Sequence, residues 1–211
     1  MRNALTGLGR YIATPMVSSI RTFGFLSESI LPDQKLVAFQ KSDFAFFGIM
    51  ESAAHRIWTL NTCSWIGAGN DITYAVSSIY QTFPFPEGLT PNIPAADYAD
   101  DPRAVAIAEA ARALNDLREA WLNPADLVRI EPEVVAGYPD RVLPVDDAAA
   151  KVLKTRTLTN LYTQRPAWLD MAHKRLDAAV AAAYGWPDGL SDDEVLERLF
   201  ALNQERAAAG R

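Results

Sequence analysis

The segments of this sequence that come closest to catalytic motifs are incomplete. Asn123-Pro124-Ala125-Asp126 begins like the Asn/Asp-Pro-Pro-aromatic motif that accepts a target amine and stacks on an extruded base. It lacks the second proline and the aromatic residue, and its place after a long helical pattern indicates a helix stop. Gly67-Ala68-Gly69 is a lone Gly-x-Gly, a weak sign of cofactor binding without a strand before it and a helix after it. We therefore expect no cofactor site in this chain.

Metal-dependent and acid–base chemistry also lack a complete set of groups. Pro32-Asp33-Gln34-Lys35 resembles part of a nuclease metal motif but has no partner acid at a useful spacing. His55, His173 and Cys63 are each isolated from other ligand-type residues, which argues against zinc. The acidic cluster at 97–101 fits helix capping better than calcium binding. We expect no catalytic residue and no metal site, and an independent enzyme is the least favoured class.

Recognition of nucleic acid has more support from the residue types. Hydroxyl, amide and guanidinium groups read base edges and bind phosphates. They are grouped in the Arg10-Tyr11 pair, in the turn Ser18-Ser19-Ile20-Arg21 and in the loop from Asn70 to Ser78. Ordinary loop residues have a similar composition, so that alternative stays open.

The distribution of charge restricts where nucleic acid can bind. The chain has a net charge of −6, which argues mildly against phosphate contacts. Residues 1–90 carry six basic and six acidic side chains, whereas residues 91–211 carry fourteen basic and twenty acidic ones. The whole excess of negative charge therefore lies in the second half, which is a poor DNA surface and a better surface for a protein partner.

Composition indicates the broad class and compartment. Hydrophobic residues make up 49% of the chain, and its apolar runs are far shorter than the roughly 20 residues that cross a bilayer. One cysteine allows no internal disulfide. We expect a soluble, cytoplasmic protein without a membrane partner.

The first half has the pattern of short strands followed by a helix. Apolar and β-branched runs separated by turn residues predict strands at Arg10–Thr14, Arg21–Leu26, Leu36–Gln40 and Phe44–Phe47. Apolar residues from Gly48 to Trp58 fall at three-to-four spacing and predict a short helix. In Thr82–Pro86, two prolines force extended geometry and form a stiff strap. We expect its two phenylalanines to pack in the core rather than contact bases.

The second half has a helical period. A helix is predicted from Asp101-Pro102 to Asn123-Pro124, followed by a proline-containing loop. Further helices are predicted from Asp146 to Arg165-Pro166, up to Gly185, and from the capping box that begins at Ser191. The predicted fold class is α+β, with a small mixed-sheet domain at 1–90 followed by an all-α helical domain at 91–211.

Several segments occur in the same order and spacing in one protein family. They are Arg10–Pro15, Phe47–Ser52, His55–Trp58, Asn70–Pro86, Trp121–Pro124, Gly137–Arg141, Arg156–Tyr162, Arg165–Leu169 and Ala183–Pro187. Together they resemble the target-recognition and C-terminal regions of MmeI-like adenine-specific DNA methyltransferases, some of which are fused to a nuclease as type IIG or IIL restriction-modification enzymes. The resemblance covers nearly the whole chain.

The resemblance implies a part that reads DNA without the part that modifies it. In the family, the recognition region lies against the duplex, and a separate domain methylates adenine at N6. The implied base-reading positions are Asn70, Asp71, Thr73, Tyr74, Ser77 and Ser78. Positioning of the DNA backbone falls to Arg10, Arg21 and Lys41. Relatives often carry basic residues about where Ala53 and Thr73 stand, so a different specificity or weaker binding is expected.

The expected partners follow from this resemblance. They are double-stranded DNA and a methyltransferase domain or subunit that holds S-adenosylmethionine, in a system of phage defence. The chain begins only a few residues before the recognition region, which fits an isolated piece, a split subunit or the remnant of a broken gene. The alternative hypothesis is an interaction or regulatory protein, derived from such an enzyme, that binds a protein partner and no longer reads DNA.

Overall fold

Short antiparallel strands build three small sheets in this protein. The computed structural model describes residues 5–66 and 71–210. The strands are β1 Arg10–Pro15, β2 Val17–Ser18, β3 Gly24–Ser27, β4 Leu36–Phe39, β5 Ser64–Ile66, β6 Asp71–Thr73, β7 Val128–Glu131 and β8 Arg141–Pro144. The sheet orders are β3-β1-β4, β2-β6-β5 and the hairpin β7-β8. Every strand pair in the described part is antiparallel, so the predicted mixed sheet is an antiparallel one.

Helices make up most of the remaining regular structure, and the predicted α+β class is confirmed. They are α1 Phe44–Glu51, α2 Ala53–Thr62, α3 Pro102–Leu122, α4 Asp147–Leu153, α5 Leu158–Gln164, α6 Ala167–Ala183 and α7 Asp192–Ala208. A π-helical turn spans Val76–Tyr80 and a 3-10 turn spans Ala95–Tyr98. Within the described ranges, none of the helices has the length and apolar character needed to cross a membrane.

Local capping explains why α1 and α2 replace the predicted strand at 44–47 and the predicted single helix after it. The Asp43 side chain accepts a hydrogen bond from the Phe46 amide and starts α1. All eight residues of α1 are buried, so its aromatic run reflects a core helix and not a strand. Ser52 then separates the helices, because its hydroxyl donates to the Ile49 carbonyl and accepts from the His55 amide.

The second half differs from the all-helical prediction in two places. Residues 128–144, predicted as a loop, include the β7–β8 hairpin, with Val128 opposite Pro144 and Glu131 opposite Arg141. The helix predicted between Asp146 and Arg165 is divided into α4 and α5. Thr157 accepts from the Asn160 amide and caps a new helix, which a propensity pattern alone did not reveal.

The main core is continuous between the two halves. Its buried members include Phe46 in α1, Ile107 in α3, Leu176 in α6 and Leu199 in α7. Gly48 lies where α1 crosses α3 and α6, and an added methyl group there would be 2.6 Å from Cγ2 of Ile107. The close crossing of these helices therefore depends on glycine at position 48. The predicted domain boundary at residue 90 stays a prediction.

The Thr82–Pro86 strap packs in the core as predicted. Phe83 and Phe85 are buried, and Phe85 stacks on Phe46 with 5.8 Å between ring centroids. Three of the strap carbonyls accept hydrogen bonds from second-half side chains, namely Asn203 on Thr82, Tyr184 on Pro84 and Arg206 on Phe85. The strap therefore connects helix α1 of the first half to the helices of the second.

Gly48→Ala tests the close crossing of α1. Overpacking of a filled core costs about 1–3 kcal/mol, whereas alanine returns at most about 1 kcal/mol of helix propensity. We expect a lower free energy of unfolding in urea denaturation. Gly24→Ala is the control, since no described atom lies within 4 Å of its Cβ position. Equal stability of Gly48→Ala and the unchanged protein would contradict the crossing.

Candidate nucleic-acid interface

The β2-β6-β5 sheet brings together polar residues that the sequence analysis had predicted separately. Val17 and Ser64 lie opposite Thr73, and Ile66 lies opposite Asp71. Residues directly opposite in a sheet project to one side, and neighbours along a strand alternate. These five residues therefore share one side, which we call the outer sheet face. Their β6 neighbour Ile72 projects to the other side and is buried.

One pair of serines, Ser18 and Ser19, lies at the end of β2, and a second pair, Ser77 and Ser78, follows β6. Ser18 closes a turn, because its hydroxyl donates to the Ile20 carbonyl at 2.6 Å. Ser19 follows it and is exposed. Ser77 and Ser78 are exposed on the π-helical turn that follows β6. The structure thus makes Ser19, Ser77 and Ser78 available to a ligand.

Arg21 has a structural role within this sheet. Its Nη2 donates to the Ile72 carbonyl at 3.0 Å, and its Nη1 donates to the Thr14 hydroxyl at 3.0 Å and to the Pro15 carbonyl. The guanidinium also lies 5.2 Å from the Tyr74 ring centroid, and burial lowers the pKa of Arg21. Arg21 therefore holds the turn after β2 against β6.

The other two predicted phosphate-binding cations lie away from the outer sheet face. Arg10 starts β1, whereas Val17 follows the opposite end of that strand. Its Nε and Nη2 donate to the Ser42 carbonyl at 3.1 and 2.9 Å. Lys41 Nζ donates to the Ile93 carbonyl at 3.0 Å. Phosphate contacts by these side chains would have to compete with the internal hydrogen bonds.

Tyr11 and Tyr74, which the sequence analysis placed among the candidate DNA contacts, are core residues. Tyr11 is 0% exposed and its hydroxyl donates to the Ile30 carbonyl at 2.9 Å. Tyr74 is 2% exposed and its hydroxyl is 3.0 Å from His55 Nε2. Burial raises the pKa of Tyr74. A tyrosine suits both a core and a surface, so residue type alone could not separate the two cases.

The remaining predicted positions divide between described and undescribed residues. Asp71 and Thr73 are half-buried on the outer sheet face. The Thr73 hydroxyl has no hydrogen-bond partner among the residues that the structure describes. Asn70 lies outside the described residues. Among the described residues, no three His, Cys, Asp or Glu side chains form a metal-binding group.

The sequence analysis missed the residues of β5. Ser64 and Ile66 complete the outer sheet face. Trp65 between them projects to the other side of the sheet, like Ile72 opposite it, and is 48% exposed. The available signal was a pair of short β-branched or aromatic runs, at 64–66 and 71–73, separated by a glycine-containing stretch of sequence. That pattern is typical of a hairpin.

A buried ion pair fixes the backbone at Phe23, just after the turn that follows β2. The Glu51 carboxylate accepts a hydrogen bond from the Phe23 amide at 2.7 Å, and Arg118 Nη2 donates to the Phe23 carbonyl at 2.8 Å. Arg118 Nη1 and Glu51 Oε1 are 3.2 Å apart. The backbone amide and carbonyl of Phe23 are therefore both held by an ion pair between α1 and α3.

Further second-half side chains complete this arrangement. The Tyr162 hydroxyl donates to Glu51 Oε1 at 2.9 Å, so His173 Nε2, also at 2.9 Å, must donate to the Tyr162 oxygen. Burial raises the pKa of Tyr162 and of Asp177. Asp177 Oδ1 accepts from the Ala53 amide at 2.7 Å. The junction of α1 and α2 is thus held mainly by residues distant in sequence.

Arg118→Met tests the ion pair. Removal of one partner leaves the Glu51 charge buried and unpaired, which costs about 3–5 kcal/mol. We expect this loss in urea denaturation. The double variant with Glu51→Gln should recover part of it, because no uncompensated charge remains. Arg112→Met on the same helix is the control. Equally small losses of stability in Arg118→Met and Arg112→Met would show that the ion pair does not stabilise the fold.

Two protein-family models match separate segments of this chain. Residues 6–87 match the family model described as MmeI, target recognition domain, and residues 138–209 match MmeI, C-terminal domain. No curated protein sequence matches the chain.

A solved structure of the Type IIL restriction-modification enzyme MmeI in complex with DNA has a similar fold. It aligns with a TM-score of 0.64 and 20% sequence identity, over 94% of this chain and 21% of that chain. This chain thus spans about a fifth of the length of that protein. The two matched segments make up most of the sequence, and the chain belongs to the MmeI family, of which it carries the target recognition domain and the C-terminal domain.

Proposed function

We propose that this chain is the DNA target-recognition portion of an adenine-specific DNA methyltransferase or restriction-modification enzyme, and that the outer sheet face contacts the duplex. The observation that supports this most directly is the grouping of Asp71, Thr73 and Ser64 on one side of a sheet within the matched recognition domain. The exposed Ser19 and the Ser77-Ser78 pair extend the polar surface.

The side chains of this face suit the reading of base edges. A carboxylate such as Asp71 accepts from the cytosine amino group, and an exposed hydroxyl such as that of Ser64 pairs with several bases. Val17 and Ile66, which are 41% and 45% exposed, suit contact with a thymine methyl group. The face is rich in groups that discriminate bases and poor in cations, so its contribution is to specificity more than to affinity.

The distribution of charge supports binding through the first half. Residues 91–211 carry the whole net charge of −6, so DNA phosphates are repelled from much of the second half. Arg10, Arg21 and Lys41 donate to carbonyl groups within the protein. We expect modest affinity from the chain alone, with further phosphate contacts supplied by its partner.

The methylation step belongs to a partner in this proposal. A methyltransferase domain or subunit holds S-adenosylmethionine and transfers the methyl group to adenine N6. This chain selects the DNA sequence for it in the cytoplasm, as part of defence against phage. The support is the share of the length of MmeI that the chain spans, which leaves most of that protein outside the match.

Ser64→Asp tests the proposed interface, because Ser64 is an exposed residue of the outer sheet face. A new carboxylate on the outer sheet face would repel phosphates and weaken duplex binding about tenfold or more. The duplex is first selected from a random-sequence pool with the unchanged protein, and affinity is measured by fluorescence anisotropy at several salt concentrations. Ala106→Asp places the same charge on exposed α3 and should leave the affinity within about twofold.

Two outcomes would contradict the proposal. One is the absence of any selected sequence and of salt-dependent binding, since contacts to phosphates release counterions and therefore weaken as the salt concentration rises. The other is an equal effect of the two aspartate variants. Capture of a methyltransferase subunit without DNA would instead favour the interaction protein, for which the acidic second half is the motivating feature.

A further inference from the structure

A cleft lies between the turn after β2, the junction of α1 and α2, and helices α5 and α6. Its volume is about 320 Å³, at the lower end of the range for small-molecule sites. The lining includes Ser19 and Arg21 from the turn, His55 and Thr59 from α2, and His173 from α6. The outer sheet face is not part of this lining, since Ile72 enters the cleft from the opposite side of the sheet.

Three buried polar atoms on the wall of the cleft lack a hydrogen-bond partner within the described ranges. They are Arg21 Nε, His55 Nδ1 and Thr59 Oγ1. His55 and Thr59 are one turn apart on the same helix face, and both side chains are 0% exposed. Burial lowers the pKa of His55 to about 3, and the Met50 backbone acts weakly in the opposite direction. Unpaired buried polar groups are rare in folded proteins and indicate that a ligand or water occupies the site.

The charges around the cleft disfavour a cation as that ligand, because Arg21, Arg56 and Arg165 line it. Glu51 is neutralised by Arg118, and Asp177 accepts from the Ala53 amide. His55 is neutral and already bonded to Tyr74 through its other nitrogen. The part of the chain that the structure describes holds no metal-binding group of His, Cys, Asp and Glu.

The floor and the mouth of the cleft have different chemistry. Apolar side chains, among them Phe23, Met50 and Leu169, supply a surface for a flat ring. Arg56 and Arg165 line the cleft with side chains that are 48% and 65% exposed. Their carboxylate partners Asp192 and Asp170 form surface ion pairs, which contribute little, so both guanidinium groups can turn to a phosphate.

We propose that the cleft binds one nucleotide, with the base beside Thr59 and Arg21 and the phosphate at Arg56 and Arg165. An apolar floor with a few unpaired donors and acceptors matches a heteroaromatic base, and the guanidinium groups match its phosphate. The nucleotide is either a free mononucleotide or one unstacked from bound duplex. The second source rests on the proposed DNA-recognition function, and the first does not.

Thr59→Val is the decisive variant. It keeps the shape of the side chain and removes an unpaired buried hydroxyl, so the melting temperature of the free protein should stay the same or rise. Affinity for deoxynucleoside monophosphates, measured by calorimetry with each of the four, should fall about five- to tenfold. Thr62→Val is the matched control on the same helix, because its hydroxyl donates to the Trp58 carbonyl and lies outside the cleft.

A second arm separates the two sources. Duplex DNA that carries the fluorescent base 2-aminopurine becomes brighter when that base leaves the stack. Loss of this increase in Thr59→Val, with unchanged duplex affinity, assigns the nucleotide to DNA. Binding of free monophosphates without any increase assigns it to a small molecule.

Three results would overturn the proposal. They are the absence of both monophosphate binding and base unstacking in the unchanged protein, an unchanged affinity in Thr59→Val, and a lower melting temperature of that variant without loss of affinity, which would assign the hydroxyl to bound water. None of them alters the test of the outer sheet face, since Ser64, which is substituted in that test, does not line the cleft.

Discussion

The buried Glu51–Arg118 ion pair is the constraint on which the rest of this structure depends. The two side chains are 2% and 4% exposed, so both charges have lost their hydration. A pair of this kind is stable only when further hydrogen bonds satisfy the remaining oxygens and protons. Here the further groups are the amide and carbonyl of Phe23 and the hydroxyl of Tyr162. The need to pair these buried charges therefore fixes Phe23, the residue directly before β3, against α1 and α3.

This arrangement makes the recognition surface a property of the whole chain. The sheet that carries the outer sheet face has strands of only two or three residues, which are too short to be stable alone. Its support comes from α2 behind it and from the second-half helices that hold the α1–α2 junction and the Thr82–Pro86 strap. The second-half helices therefore stabilise the proposed reading surface, while the net negative charge of residues 91–211 disfavours DNA contact elsewhere. A recognition domain cut at residue 90 would lose those partners.

Features with a local cause could be predicted from the sequence. Asp101-Pro102 and the Ser191 capping box start α3 and α7 as predicted, because each motif satisfies backbone amides within one helical turn. The aromatic residues of the Phe44–Phe47 run fit a strand, but the Asp43 cap and the packing around α1 make the run helical. Arg21 could not be recognised as a structural residue, since its partner at Ile72 is distant in sequence. The same holds for Tyr74, whose hydroxyl pairs with His55, a residue 19 positions away in the sequence.

The central claim is that the chain reads duplex DNA through the outer sheet face and its flanking serines. Hydrogen–deuterium exchange of the intact chain, with and without a selected duplex, tests it most directly. We predict slower exchange on DNA binding in residues 17–21, 64–66 and 71–78, with little change in the β7–β8 hairpin and in α7. Slower exchange confined to the second half, or no difference at saturating DNA, would contradict the account.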